Sequence, residues 1–349
     1  VCFFGNTPLD FFKNEVRMNE HQIDEQDVRI FSGQSHPALA QGIADYLGVP
    51  LEKTLFRRFS NDCTEVQLGA SVRSRNVFII QSLIKPVSEH LMELLIMLDI
   101  AQSAGAKSVH AIIPYYSYAR SDKKDAPRIS IIARLVANLL ATAGSTHVMT
   151  MTLHSPQVHG FFSVPTDVLT ARTIIGQFFM ERDLGKTVVV SPDMGHAKPA
   201  ARFADMLHLP VIAANKERIS DTEVRISDFL ARQVRNKYQR ALVYDDEIST
   251  GGSIVEICKV LARNGVQDII PICTHGVFSG SALERLGKIP QITEVVTTDT
   301  VPPPHPKNTP FKLTVIPVAP IFGEAIWRNY TRQSIGGLFS YGNETELLD

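Results

Sequence analysis

Cysteine is scarce in this chain: Cys2, Cys63, Cys258 and Cys273 are the four among 349 residues, and no two are spaced as metal ligands. That excludes a zinc-finger or zinc-ribbon framework, and the apolar surroundings of Cys258 and Cys273 predict small core residues. No run approaches 18 consecutive apolar residues, so no membrane span is expected. Charge of one sign is also lacking: 35 basic residues face 36 acidic ones for a net charge of −1. Without a basic stripe, nucleic acid is not expected as a partner, although a phosphate site needs only a few local donors. The apolar start Val1-Cys2-Phe3-Phe4-Gly5 has no basic region and soon meets Asp10 and Lys13. It does not read as a secretory signal, and a cytoplasmic location is the default.

What the chain does have is alternation. The length suggests two domains, and 44% apolar with 20% charged residues is the composition of a soluble globular protein. Short apolar runs at 76–81, 108–114 and 148–153 predict strands, separated by amphipathic stretches at 91–103 and 129–143 that predict helices. An earlier helix is expected over 37–47. The second half repeats the theme, with strands at 187–191, 241–244 and 268–273 and helices ending near 206 and 263. Such alternation implies parallel sheets with helical crossovers. Some segments echo one another: Gly105-Ala106-Lys107-Ser108-Val109 has the pattern of Gly265-Val266-Gln267-Asp268-Ile269. The expected class is α/β, with two similar domains, each a mainly parallel sheet flanked by helices. The expected bounds are an extension at 1–27, a first domain at 28–165, a second at 166–325, and a C-terminal helix and tail at 326–349 that packs back on the first domain. The prolines of 301–306 predict a loop.

The most informative segment runs Tyr244-Asp245-Asp246-Glu247-Ile248-Ser249-Thr250-Gly251-Gly252-Ser253. An apolar strand ends in two carboxylates, a loop of hydroxyls and glycines follows, and a helix begins with Ile254, Ile257, Cys258 and Leu261 on one face. Glycines let backbone N–H groups approach a phosphate, and the helix N-terminus adds the positive end of its dipole. The carboxylates repel phosphate but accept hydrogen bonds from vicinal sugar hydroxyls. A sugar phosphate fits the whole segment. An ordinary strand–turn–helix connection with capping serines explains the glycines, but not the adjacent Asp245 and Asp246.

This segment resembles the phosphoribosyl-binding loop of the type I phosphoribosyltransferase fold. Further stretches, in order, narrow the resemblance to the ribose-phosphate pyrophosphokinases: Phe31-Ser32-Gly33, Ile113-Pro114-Tyr115-Tyr116-Ser117-Tyr118-Ala119-Arg120, Leu153-His154, Ser191-Pro192-Asp193 and Thr274-His275-Gly276. The resemblance spans about 28–340 and implies transfer of the β,γ-diphosphate of ATP to C1 of ribose 5-phosphate, with magnesium. It implies that Asp245 and Asp246 hold ribose hydroxyls and that Ser249 to Ser253 hold the 5-phosphate. Arg120, Ser121 and His154 fall on the ATP side, with Phe59, Asn61 and Glu65 reaching a neighbouring subunit's adenine. It implies metal contacts from His154 and Asp193, catalytic cations Lys216 and Arg218 on a mobile loop, and dimers assembling into a homohexamer.

The pattern departs from the family at several places. Ser121 stands for a usual glutamine, Thr152 and Ser249 for usual aspartates, and the stretch from Asn61 to Glu65 is longer than usual. Two alternatives therefore stay open at this point: a non-catalytic homologue that assembles with a true synthetase, and a phosphoribosyltransferase sharing the loop. Gly336 and Gly337 stand where the family usually has hydroxyls, and Lys123 where arginine is usual. Both changes imply a weakened site for activating phosphate.

Overall fold

The computed structural model describes residues 23–214, 216–218, 224–226, 228–304 and 309–338. Most of the expected N-terminal extension, the tail beyond 338 and the end of the proline loop lie outside the described residues.

The chain divides into two compact units. One comprises the described residues up to Thr170, with Thr300–Pro302 and the chain from Pro317 onward; the other comprises Ala171–Asp299 and Pro303–Ile316. In the first, β1 (Val28–Ser32), α1 (Pro37–Leu47) and β2 (Leu51–Glu52) lead into an antiparallel hairpin of β3 (Thr54–Arg58) and β4 (Thr64–Leu68). Then come β5 (Asn76–Ile80), α2 (Val87–Ser103), β6 (Ser108–Ile113), α3 (Ile132–Thr142), β7 (His147–Met151) and β8 (Thr166–Leu169). The second unit holds α4 (Arg172–Met180), β9 (Thr187–Ser191), α5 (Ala197–Met206) and β10 (Val211–Ala213). There follow β11 (Lys216–Arg218), β12 (Val224–Ile226), α6 (Asp228–Val234), β13 (Arg240–Glu247) and α7 (Gly252–Arg263). It ends with β14 (Asp268–His275), α8 (Ala282–Gly287), β15 (Glu294–Thr298) and β16 (Lys312–Ile316), before α9 (Ala319–Thr331) returns to the first unit.

The two sheets share one plan. Their strand orders are β2-β1-β5-β6-β7-β8 and β10-β9-β13-β14-β15-β16, every pair parallel, and each chain segment makes an antiparallel strand pair just after its edge strand. The α/β class with two similar parallel-sheet domains is therefore what the residues build. The reason lies in the strands themselves: Val77, Phe78, Ile79 and Ile80 are all buried, as are Val188, Val189 and Val190, so both faces need covering by helices. On one face of the first sheet α2 buries Leu94, Met97, Leu98 and Ala101 at helical spacing. Cys258 and Cys273 are buried in the second core, as their setting predicts.

Helix α9 rests on α1 through a glycine. A Cβ on Gly323 would overlap the Tyr46 ring, so only glycine allows this approach, and the Tyr46 hydroxyl donates to Glu324 at 3.0 Å.

Several strands and helices differ from their predicted limits. Helix α2 begins at Val87 rather than 91, and α3 at Ile132 rather than 129. Strand β13 continues through the carboxylates to Glu247, because β14 also extends and supplies ladder partners, Asp245 opposite Cys273 and Glu247 opposite His275. Periodicity of side chains marks where apolar residues stop, whereas backbone pairing continues as long as a neighbour is present.

His110 supplies a pH-dependent term. Its ring stacks on Phe78 at 4.4 Å, and its Nε2 lies 2.9 Å from Ser108 Oγ. Burial, and secondly the nearby His147, push its pKa down to about 3. The unfolded chain binds a proton near pH 6.5 that the folded chain refuses, so stability is complete above that value and falls as pH drops toward 3. The slope from this one group is about 1.4 kcal/mol per pH unit. Chemical unfolding at pH 5.5 and 4.5, on the full slope, should show that loss in the parent protein, and His110→Gln should flatten it by a similar amount.

Candidate active site

The site in the second unit collects at the carboxyl ends of β9 and β13, where open parallel sheets gather ligands. Strand β13 brings Asp245 and Asp246 to this edge; Asp246 is buried, and its backbone N–H donates to Asp245 Oδ1 at 2.9 Å. Burial, and then the charge of Asp246, hold the Asp245 carboxyl well above the usual carboxylate range, with Asp193 adding to the effect. Two anions held this close need either donors or a cation, and hydroxyls of a sugar supply donors.

Below the pair, Tyr244 stacks face to face on Phe203 of α5 at 4.4 Å, which fixes the end of the strand. Beyond it the chain turns. Ile248 N–H donates to His275, and Phe278 and Ser279 N–H donate back to Ile248 and Ser249, so the loop is tied to a fixed neighbour. Gly251 has φ +71°, a left-handed conformation that side chains disfavour, and it stands at the head of α7. At Gly252 a Cβ would meet nothing within 4 Å, so there is open space where the first N–H groups of α7 face outward. Thr250 and Ser253 are exposed beside that space, and Ser249 is half-buried with its hydroxyl 3.4 Å from Ser279. Donors, dipole and room for an anion thus lie next to the acidic pair.

From β9, Ser191-Pro192-Asp193 enters the same edge. Ser191 Oγ donates to the Asp193 carbonyl at 2.8 Å, and Asp193 Oδ1 accepts from His196 N–H at 2.9 Å. This turn carries the residue that sequence reasoning missed. His196 Nδ1 lies 4.0 Å from Asp245 and 3.9 Å from Asp246, and one atom from each of the three falls within 4.8 Å of the others. The signal available was its position three residues after Asp193, in the turn that must pass β13.

Lys216 and Arg218 lie in β11, which pairs antiparallel with β12, Lys216 opposite Ile226 and Arg218 opposite Val224. Residues 215, 219–223 and 227 of the expected catalytic loop lie outside the described residues.

The first unit gathers its own predicted group. Arg120 ends a single 3-10 turn after β6 and is exposed; Ser121 N–H donates to Tyr118, and the Ser121 carbonyl accepts from Ala133 at the start of α3. His154 is exposed in the bend after β7, beyond Thr152 with φ +46°. Phe59 and Asn61 occupy the turn of the β3–β4 hairpin. Phe59 is 47% exposed. Asn61 Oδ1 accepts from Cys63 N–H, and Glu65 sits on the stem, paired across strands with Arg57 at 3.2 Å.

Two stretches that contain most of these residues match known families. Residues 28–144 match the N-terminal domain of ribose phosphate pyrophosphokinase, and residues 230–340 match the phosphoribosyl synthetase-associated domain. The ribose-phosphate pyrophosphokinase of Deinococcus radiodurans is 46% identical over 319 residues, covering 89% of this chain and 97% of its own. That of Bacillus subtilis is 39% identical over 320 residues, covering 92% and 99%. Among solved structures, phosphoribosylpyrophosphate synthetase from Mycobacterium smegmatis superposes with a TM-score of 0.81 at 36% identity, covering 88% of this chain and 99% of that one. Among the described residues no helix is long and apolar enough to cross a membrane. With an acidic pair beside a glycine loop, two like parallel sheets and relatives matched over nearly their whole length, the chain belongs to the ribose-phosphate pyrophosphokinase family.

Proposed function

We propose that this enzyme transfers the β,γ-diphosphate of ATP to the C1 hydroxyl of ribose 5-phosphate, giving phosphoribosyl pyrophosphate and AMP. In this reaction the C1 oxygen bonds to the β-phosphorus, the bond from that phosphorus to the α,β-bridging oxygen breaks, and the hydroxyl proton is lost. The observation that carries the reading is the adjacent Asp245 and Asp246, half-buried and buried, next to the open loop at Gly252. Asp245 and Asp246 take the ribose hydroxyls, and Ser249, Thr250, Gly251, Gly252 and Ser253 take the 5-phosphate. Arg120, Ser121 and His154 serve ATP, with Phe59, Asn61 and Glu65 completing an adenine site in a neighbouring copy of the chain. The exposure of Phe59 supports that role, because an aromatic at a hairpin turn is positioned to stack on a base. Dimers assembling into a homohexamer, and a cytoplasmic setting, belong to the same reading and rest on the family resemblance.

Magnesium suits the donors present. Magnesium prefers oxygen ligands and retains water, so it needs few protein groups. In the second unit Asp193 would hold it, close enough to Asp245 for its charge to act there; the family resemblance assigns the first unit's metal contact to His154. When bound, the ion neutralises phosphate charge. The decisive assay is AMP release from ATP that depends on both ribose 5-phosphate and magnesium. Its absence in folded protein would leave the regulatory homologue as the answer, and release of diphosphate from phosphoribosyl pyrophosphate with a base acceptor would point to a phosphoribosyltransferase.

Control by inorganic phosphate should be weak. Gly336–Leu338 forms a short 3-10 turn in which Gly336 offers only its N–H, already donated to Ser334 Oγ at 3.3 Å. Each missing hydrogen bond to a charged group removes about 1.5–3 kcal/mol. A titration of activity against phosphate at fixed free magnesium should stay nearly flat; steep activation would show that other groups rebuild the site.

A further inference from the structure

A cleft of about 600 Å³ runs along the side of α7 in the second unit. One wall is α7 from Gly252 onward, and the other is α8 with the segment that follows it to Gln291. Its charge is lopsided: Lys259, Arg263, Arg285 and Lys288 line it against a single carboxylate, Glu256. Glu256 is committed to Lys259, at 2.7 Å. Among the described residues, Arg263, Arg285 and Lys288 form no ion pair, and Arg285 Nε is buried without a hydrogen-bond partner. Like charges gathered in a concave, partly dry wall raise one another's energy, and an anion relieves it. Three uncompensated cations outmatch a single carboxylate and suit a short phosphate chain, whose oxygens guanidinium groups grip two at a time. Val255, Ile289 and Pro290 add apolar wall, and the volume lies in the range of pockets that enclose a whole small molecule, about 300–1000 Å³.

The cleft is also wired to the phosphate loop. Arg285 Nη2 donates to the carbonyl of Thr250, and Gly252 belongs to both the loop and the cleft wall. An anion that draws the Arg285 guanidinium toward the cleft competes with the Thr250 carbonyl for its donors. The loop then loses its tie to α8.

We propose that this cleft is a second anion site, taking a small molecule with a diphosphate or longer phosphate chain, and that its occupancy weakens binding at the adjoining phosphate loop. The coupling half rests on reading that loop as the ribose 5-phosphate site; the binding half does not.

Inorganic pyrophosphate is the probe. Calorimetric titration into the intact chain should count one more bound pyrophosphate in the parent than in the double variant Arg263→Glu with Lys288→Glu. Both positions are exposed and outside the catalytic groups, so ribose 5-phosphate affinity without pyrophosphate should be unchanged in that variant. In the parent, pyrophosphate should weaken ribose 5-phosphate binding about fivefold or more, the lower end of ordinary coupling between sites. The double variant should lose that effect, and Arg285→Lys should keep pyrophosphate binding while losing the coupling. Equal pyrophosphate counts in parent and double variant would overturn the site. Weakening that persists undiminished in the double variant would mean direct competition at the loop and would overturn the coupling. A parent that binds no ribose 5-phosphate at all would defeat the reading of the loop, while the pyrophosphate count would still decide the cleft.

Discussion

Replacing Asp246 by asparagine should weaken ribose 5-phosphate binding roughly 10- to 100-fold, the effect of losing one hydrogen bond to a charged acceptor at about 1.5–3 kcal/mol. The apparent affinity for ATP should move by less than about twofold over the same comparison, since the adenine and phosphate groups assigned to ATP lie on other residues. Asparagine has nearly the shape of aspartate, and the Asp246 backbone N–H still reaches Asp245 Oδ1, so the fold has no reason to yield. What changes is the acceptor: one of two carboxylate oxygens becomes an NH2 group that points a donor at a hydroxyl. Removing the Asp246 charge also relieves Asp245, whose pKa is raised by burial and then by that neighbour. The variant therefore keeps one fully competent carboxylate, which is why the loss is set at one bond rather than the entire sugar contact. Calorimetry with each substrate alone measures both affinities. Equal losses for ribose 5-phosphate and ATP, with an unchanged melting temperature, would remove Asp246 from the sugar site.

How much of this was legible in the sequence differs by level. Strand and helix types were readable because valine- and isoleucine-rich runs such as Val188-Val189-Val190 have one stable setting, a sheet buried on both faces. Strand order was not. That Val28–Ser32 lies between Leu51–Glu52 and Asn76–Ile80 follows from which edges remain open after each crossover, a property of the folded whole. The short strands were also hidden: Lys216–Arg218 reads as a charged loop, since its pairing with Val224–Ile226 depends on the partner rather than on its own side chains. At the site, the acidic pair and the glycines were legible because each demands a rare local solution. His196 was not, for a histidine in a turn has many ordinary uses, and only the sheet geometry brings it within 4.0 Å of residues about fifty positions away. Arg285 escaped for the same reason, as its link to Thr250 joins α8 to a loop that nothing in their sequences connects.

Lys216→Ala should lower turnover by roughly 10²-fold or more, the scale for removing one group that stabilises charge developing in a transition state. Diphosphate transfer concentrates negative charge about the β-phosphorus as the bond to AMP lengthens, and the protein's part is mainly to position the partners and offset that charge. Lys216 and Arg218 occupy alternate positions of β11, in a strand pair that follows the edge strand β10, so two cations enter on one short, regular segment. If Lys216 acts only in the transition state, kcat and kcat/KM should fall together and the dissociation constants of both substrates should stay nearly unchanged. A ground-state contact would instead raise KM with little loss of turnover. Lys216→Arg separates charge from shape: it keeps the cation but replaces a compact ammonium with a planar fork, and should recover part of the lost turnover. Steady-state AMP release by the three proteins, with circular dichroism to confirm equal folding, makes the comparison. Ordinary turnover in Lys216→Ala would reduce β11 to a solvated edge and leave Arg218, or another cation, to offset the charge.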